Sequence, residues 1–214
     1  MIDLLRKILK SFGQKEESMS TADEVEGLYG SLNDDILQLV LGADLIALGK
    51  NFAEKISEIR KEIKSECGFI LPPVRILDNK FIQENEFDIF INGKKVETGF
   101  LVPNYTGINE EFYETMKTVI YDNLQYLFTT KVAEKYIDSV QSDNSWLVYN
   151  LFLKISIIDL KTIMLDIINQ GKSINNVNYI FEQIGEHVLG DGKLQDCYTR
   201  HNPHLIAKYV AKRL

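Results

Sequence analysis

Leu71-Pro72-Pro73-Val74-Arg75-Ile76-Leu77-Asp78-Asn79 marks the point at which this sequence changes from helix to strand. Upstream, residues 51–67 carry apolar side chains at helical spacing, and Gly68 stands where a helix prefers a left-handed final residue. The two prolines block continuation of that helix because they lack backbone donors. The apolar residues that follow predict a strand over residues 74–76, at a sheet edge or entered from a rigid bend.

A β-hairpin is predicted directly after this strand. Residues 87–91 and 96–102 are rich in apolar side chains, and Asn92-Gly93 between them supplies the two positive φ angles of a type I′ turn. The apolar run at residues 37–48 predicts one more strand before the helix. Together these elements predict a small α/β unit, in which a sheet with a hairpin carries one helix.

After about residue 109 the apolar spacing is helical throughout, which predicts a bundle. The first stripes comprise Phe112, Met116, Val119, Ile120, Leu124 and Leu127, followed by Val132, Tyr136, Ile137 and Val140. Residues 146–157 and 160–168 are apolar on nearly every side, so we expect them to be the most buried.

Two helix starts are visible downstream. Ser173 is expected to cap a helix over residues 174–187, because a serine hydroxyl accepts a hydrogen bond from the first helical turn. Asn202 followed by Pro203 is the usual pair at a helix start, with asparagine as the cap and proline in the first turn. The last helix is therefore expected to begin there.

The fold class predicted from these patterns is α+β, with a small α/β subdomain followed by an all-helical subdomain. The predicted divisions are residues 1–35 (an amphipathic helix and an acidic linker), 36–108 (α/β) and 109–214 (helical). The first segment has a basic amphipathic pattern, whose apolar face is formed by Leu4, Leu5, Ile8, Leu9 and Phe12. Such a face packs on its own domain, on a second copy or in a partner's groove, and a peripheral membrane contact is the weakest alternative.

Composition excludes several classes of function. A net charge of −7 and a pI of about 5.1 oppose binding to nucleic acid, which is driven by cationic surfaces. No apolar run approaches the roughly 20 residues of a membrane span, and the N-terminus lacks a secretory signal. Two cysteines, Cys67 and Cys197, fit a reducing compartment better than a disulfide scaffold.

The motifs that suggest chemistry are weak. Gly171-Lys172-Ser173 ends like a phosphate-binding loop, but Asp166 stands where that motif requires glycine, so a helix end is the better interpretation. Cys197, His201 and His204 offer metal-ligand types, yet a structural zinc site needs a fourth ligand. We therefore expect neither metal nor cofactor.

Carboxylates alternate at the start of the hairpin, at Glu84, Glu86 and Asp88. Paired carboxylates serve acid–base chemistry, but no activated nucleophile accompanies them, and a solvated strand face is the simpler expectation. Arg75 is the one charged residue in its apolar strand. An inward Arg75 demands a carboxylate partner, whereas the favoured outward position leaves it available to a protein partner.

The order of helix, Gly-Phe, Pro-Pro-Val-Arg-Ile and hairpin resembles the cytosolic part of the FHIPEP family, the export-gate proteins of flagellar and virulence type III secretion systems. The resemblance runs from about Leu37 to the C-terminus. It implies secretion-system proteins, export chaperones or export substrates as partners, and assembly with further copies of the chain. It also implies a location in the cytoplasm, at the membrane periphery where a secretion complex holds the protein.

The sequence departs from the family pattern in three places. Family members begin with a membrane domain, carry an inserted subdomain where residues 100–104 here pass almost directly into residues 108–111, and continue beyond the position of Leu214. We therefore expect a non-enzymatic adaptor, regulator or degenerate relative that interacts with proteins. The alternative is an enzyme or a small-ligand-binding protein on an eroded version of the scaffold. A concave pocket with convergent polar groups favours that alternative, and a flat exposed apolar patch favours the adaptor.

Overall fold

The computed structural model describes residues 35–101, 110–190 and 201–214, and these contain four strands and eight α-helices, of which the first helix lies between the first and second strands. The strands are β1 (Leu37–Leu41), β2 (Val74–Asp78), β3 (Glu86–Ile91) and β4 (Lys94–Phe100). The helices are α1 (Gly49–Cys67), α2 (Glu110–Asp122), α3 (Leu124–Leu127), α4 (Thr130–Gln141), α5 (Ser145–Phe152), α6 (Ile157–Asn169), α7 (Val177–Leu189) and α8 (Pro203–Ala211).

The strands form one mixed sheet in the order β2-β1-β3-β4. β2 runs parallel to β1, while β3 is antiparallel to both β1 and β4. The strand after the two prolines therefore lies at a sheet edge, as predicted. The predicted turn is also confirmed, because Asn92 and Gly93 have φ angles of 51° and 74°.

The first strand is shorter than the predicted 37–48. It ends at Leu41, and Ala43–Leu48 forms a 3-10 helix that leads into α1. The reason lies at Gly42, whose backbone N–H donates to the Glu86 carbonyl at 2.8 Å. A Cβ at position 42 would stand 2.0 Å from the carbonyl oxygen of Gln83, so only glycine permits this close approach.

The core begins at β1 and β3, which are neighbouring strands in the middle of the sheet. The directly opposed pairs are Leu37 with Ile91, Leu39 with Ile89, and Leu41 with Phe87, and all six side chains are buried. The apolar stripe of α1 joins the same core through Phe52, Ile56, Ile59, Ile63 and Cys67. These side chains leave water together, which is the main favourable contribution to folding.

Phe112 connects the sheet to the helical part. Its ring packs edge to face on Phe52 of α1 at 4.8 Å and on Phe87 of β3 at 5.2 Å between centroids. The buried residues of the sheet and of the later helices belong to one continuous cluster. The predicted α+β fold class is confirmed, while the division at residues 108/109 stays a prediction.

The end of α1 is held by groups from distant parts of the chain. Gly68 has a φ of 81° and ends the helix, as its position predicts. Ile174 donates its backbone N–H to the Cys67 carbonyl at 2.8 Å. The Tyr136 hydroxyl accepts from Ile70 N–H at 2.9 Å and donates to the Gly68 carbonyl at 2.8 Å. The helix end thus ties the α/β part to the bundle.

The two predicted helix starts, near residues 174 and 203, have different outcomes. Asn202 caps α8 by accepting from the backbone N–H groups of His204 and Leu205, with Pro203 in the first turn, so that prediction is confirmed. The predicted start at residue 174 with Ser173 as its cap is wrong. α7 begins at Val177, and the Asn176 side chain caps it by accepting from Tyr179 N–H.

The predicted solvated face of carboxylates is wrong at Glu86 and Asp88, whereas Glu84 is exposed, as predicted, and precedes the strand. Asp88 is 2% exposed, and both its oxygens lie within 3.2 Å of Lys95 Nζ, while Thr98 Oγ1 donates to one of them at 2.5 Å. Glu86 is 9% exposed and accepts from the backbone N–H of Gln83 at 3.0 Å. A buried carboxylate is tolerated here because charged and polar partners surround it.

None of the helices in residues 35–101, 110–190 and 201–214 combines the length and the apolarity that crossing a bilayer requires.

Candidate protein-interaction surfaces

An exposed apolar surface lies on α5 and the start of α6. Trp146 is 70% exposed, Tyr149 67%, Leu153 62% and Ile158 64%. We call these four residues the Trp146 surface. The predicted burial of residues 146–157 is therefore wrong on this side.

The cause is that α5 is apolar on two faces. Leu147, Val148 and Leu151 face the core and are buried, whereas Trp146 and Tyr149 are three residues apart on the opposite face. The sequence carries apolar residues on both faces, and only the packing of α4 and α7 against one of them selects which is buried. Large aromatic side chains left in water are typical of a binding surface.

A groove of about 410 Å³ adjoins this surface, between α5 and α7. Trp146 and Leu147 form one wall, and the exposed carboxylates Glu182 and Glu186 lie on the other. Gly185 allows the two helices to approach, because a Cβ there would stand 2.8 Å from a methyl group of Leu147. The groove therefore offers an apolar floor beside negative charge.

A second concavity, of about 480 Å³, lies between β4 and α2. It is lined by Phe87, Val96, Glu97, Thr98, Gly99, Phe100, Glu111, Glu114, Thr115, Thr118, Val119, Asp122 and Asn123. We call it the β4–α2 cleft. Among the described residues, its lining includes four carboxylates but no histidine, cysteine, lysine or arginine. Carboxylates and threonine hydroxyls are thus the groups that the described lining offers for chemistry, without an imidazole, thiol or cation beside them to activate a nucleophile.

A polar cluster joins α1 to α2. Lys117 forms ion pairs with Glu62 and Glu66, and the Tyr121 hydroxyl donates to Glu66 at 2.6 Å. The hydrogen bond from Tyr121, followed by that from Lys117, lowers the pKa of Glu66. Desolvation and then the bond to Glu66 raise the pKa of Tyr121. Each side chain has a structural partner, so this cluster holds two helices together and offers no reactive group.

Cys67 lies close to this cluster as a buried free thiol. Burial raises its pKa, which keeps the thiol protonated at neutral pH. The described part of the chain thus gives Cys67 the environment of a core residue.

Arg75 projects outward from the edge strand β2, with 57% of its side chain exposed, and forms an ion pair with Asp35. Its role toward a protein partner stays a prediction. The other residues predicted to bind a partner, Leu5, Ile8, Leu9 and Phe12, lie outside the described residues. No structural observation therefore brings them together with Arg75.

The residues of the phosphate-loop-like and metal-ligand-like motifs have structural roles where the structure describes them. Gly171, with a φ of 72°, follows the end of α6 in a loop between two helices. His204 lies on α8 and its Nδ1 is 2.6 Å from Asp166 Oδ2 on α6. Cys197 lies outside the described residues. In the part of the chain that the structure describes, no three histidine, cysteine or acidic side chains are grouped as metal ligands.

Comparison with known proteins matches residues 6–114 to the FHIPEP family. The flagellar biosynthesis protein FlhA of Helicobacter pylori is 34% identical over 95 residues, which are 42% of this chain and 12% of that protein. The FlhA protein of Caulobacter vibrioides is 35% identical over 89 residues, 39% of this chain and 12% of that protein. The chain thus matches about an eighth of the length of these relatives.

Solved structures extend the similarity in fold to the helical part. The Chlamydia pneumoniae CdsV protein superposes with a TM-score of 0.64 at 14% identity, over 81% of this chain and 63% of that one. The nonameric SctV-C of EPEC superposes with a TM-score of 0.62 at 13% identity, over 83% of this chain and 65% of that one. Because the family match spans half of the sequence, including the Pro-Pro-Val-Arg-Ile segment and the hairpin, the chain belongs to the FHIPEP family.

Proposed function

We propose that this chain is a non-enzymatic protein-interaction module of a protein-export apparatus, acting as an adaptor or regulator in the cytoplasm. The observation that carries the proposal is the Trp146 surface, on a fold similar to the cytosolic domains of type III secretion and flagellar export-gate proteins. Aromatic anchors of this kind contribute much of the binding energy at protein interfaces.

The partners we propose are secretion-system proteins, with export chaperones and substrates included, and a second copy of this chain. Two observations on similar structures support this choice. CdsV has been solved in a complex with CdsO, and the EscV and SctV cytosolic domains have been solved as nonamers. The described lining of the β4–α2 cleft sets no imidazole, thiol or cation beside its carboxylates, which supports an interaction module over an enzyme.

The test is a pull-down with the full chain from an extract of its source organism, followed by binding measurements on each purified secretion protein that is captured. Replacing Trp146 and Tyr149 together by alanine removes two aromatic anchors, so we expect the dissociation constant to rise at least about 30-fold, equivalent to about 2 kcal/mol.

A matched control replaces Phe81 and Tyr126, which are 99% and 53% exposed outside this surface, by alanine. We expect the control to bind within about twofold of the parent chain, because isolated exposed aromatic residues are common on surfaces without an interface. Capture of no secretion protein by the parent chain contradicts the proposal, as does equal binding by both double variants.

A further inference from the structure

The outer edge of β4 is open within the described residues. β4 pairs only with β3, and it is the last strand of the sheet. An edge strand presents unpaired backbone N–H and C=O groups, which can pair with another extended segment. The β4–α2 cleft lies along this edge, with room for side chains of such a segment.

The register identifies which groups of β4 point outward. Leu101 N–H donates to the Asn85 carbonyl at 2.9 Å, and Phe87 pairs with Gly99 two residues further along. Hydrogen-bonded and non-bonded pairs alternate along an antiparallel ladder. The backbone groups of Thr98 and Phe100 therefore point away from β3, toward the open edge.

Thr98 provides independent evidence for this direction. Its backbone N–H donates to the carboxylate of Glu97, at 3.1 Å, instead of to a neighbouring strand. Glu97 is exposed, so its carboxylate can move away when a carbonyl oxygen from another chain takes its place. The edge donor is thus occupied by an exposed side chain of the chain itself.

Gly99 shapes the cleft beside this donor. A Cβ at position 99 would stand 2.2 Å from Cζ of Phe87, so the Phe87 ring lies across the backbone of Gly99. Val96 and Val119 continue this apolar lining. The floor can therefore pack the aliphatic stems of long side chains from a segment that pairs with β4.

The charge of the cleft specifies the ends of these side chains. Glu97, Glu111, Glu114 and Asp122 line it, and no lysine or arginine does. Asp122 is also the last residue of α2, where the helix dipole adds negative potential. Side chains two residues apart on a strand lie on the same side at about 6.6 Å spacing, so alternate residues of an added strand can reach these carboxylates.

We propose that β4 accepts an extended segment of a partner protein by strand addition, and that this segment carries lysine or arginine at alternate positions. Its backbone pairs with Thr98 and Phe100, and its cations face the carboxylates of the β4–α2 cleft. The inference rests on the proposed function in one respect, that the partner is a protein, and it names the chemistry of that partner.

The test uses the full chain and a fluorescein-labelled, end-capped octapeptide of alternating lysine and valine. We expect fluorescence anisotropy to show saturable binding at physiological ionic strength. The double variant Glu97→Lys, Glu114→Lys should weaken binding at least about tenfold, since a like charge replaces an opposite one at two positions. The matched control Glu134→Lys, Asp138→Lys makes the same charge change at two exposed carboxylates of α4 and should bind within about twofold.

Two further probes separate strand addition from attraction between charges. One octapeptide is N-methylated on its valines and the other on its lysines. An added strand presents only alternate residues to β4, so at least one methylated probe should lose binding about tenfold or more.

Failure to bind the parent probe overturns the proposal, and so does equal binding by all three probes. A dimer of the chain that the probe dissociates assigns the β4 edge to a second copy and also overturns it. Capture of secretion proteins through the Trp146 surface is measured separately, so intact capture with no probe binding rejects strand addition alone.

Discussion

Tyr136 connects the bundle to the α/β part through a single hydroxyl group. The side chain is 3% exposed, and its hydroxyl both accepts from Ile70 N–H and donates to the Gly68 carbonyl. Tyr136→Phe leaves two backbone groups without this partner at almost constant volume. We expect the free energy of unfolding in urea to fall by about 1–3 kcal/mol.

Tyr126→Phe is the control for this substitution. Tyr126 is 53% exposed, and its hydroxyl forms no hydrogen bond to another described residue, so its loss should change the free energy of unfolding by less than about 0.5 kcal/mol. Equal effects of the two substitutions would show that the Tyr136 hydroxyl contributes nothing to joining the two parts.

The burial of Asp88 could not be predicted from the sequence. Alternation with Glu84 and Glu86 predicts a shared face of the strand but not the neighbours of that face. Lys95 and Thr98 come alongside only through the pairing of β3 with β4, which includes an irregularity at Ile89/Phe90. The partners that permit burial of this carboxylate are therefore a property of the register.

At the scale of the element, the hairpin allows a matched test of backbone conformation. A Cβ would meet no atom within 4 Å at Gly93 or at Gly49, but φ is 74° at Gly93 and −52° at Gly49. Gly93→Ala should destabilise the protein by about 1 kcal/mol, because alanine disfavours the left-handed region. Gly49→Ala should stabilise it by about 0.5 kcal/mol through a smaller entropy of the unfolded chain.

Urea unfolding of both variants checks this prediction. Equal shifts in the same direction would contradict it, since the two substitutions differ mainly in the sign of φ. The notable point is that Asn92-Gly93 predicts this conformation from two residues alone, because few other residues adopt it without strain.

α5 shows where prediction of elements fails for a physical reason. A stripe of apolar residues on one face of a helix identifies the buried face, as it does for Phe52, Ile56 and Ile63 on α1. α5 has apolar residues on both faces, and the sequence contains no signal that distinguishes a core face from a binding face. The only sign of the Trp146 surface in the sequence is that α5 has more apolar residues than one buried helix face can hold.

At the scale of the molecule, the order of elements follows from local signals and from the resemblance to the FHIPEP family. The strand order β2-β1-β3-β4 and the path of the helices come from long-range packing, such as the contacts of Phe112 with α1 and β3. The β4–α2 cleft likewise requires Glu97 of β4 and Glu114 of α2 to line the same cavity. Residues that are distant in sequence give no local sign of such a meeting.

The last prediction concerns residues 1–26, which precede the described part of the chain. Residues 35–214 form one compact unit with its own hydrophobic core. Deletion of residues 1–26 should therefore leave the helix and strand content of this unit, measured by far-UV circular dichroism, and its cooperative unfolding unchanged. The sequence gives the deleted segment an apolar face, and such faces bind grooves of other chains. We therefore expect light scattering and pull-downs to show weaker self-association or weaker partner capture, with dissociation constants raised at least about tenfold, or about 1.4 kcal/mol.

Two further variants distinguish the faces of this segment. One replaces its apolar residues Leu5, Ile8, Leu9 and Phe12 by serine, and the other replaces its basic residues Arg6, Lys7 and Lys10 by glutamine. If burial of the apolar face drives binding, the serine variant should match the deletion, because burying each large apolar side chain contributes about 1.5–3 kcal/mol. The glutamine variant should lose affinity mainly at low salt, since charges at an exposed surface are screened within about 10 Å at 0.1 M ionic strength. Identical association and capture by the parent chain, the deletion and the serine variant would show that the segment takes no part in binding.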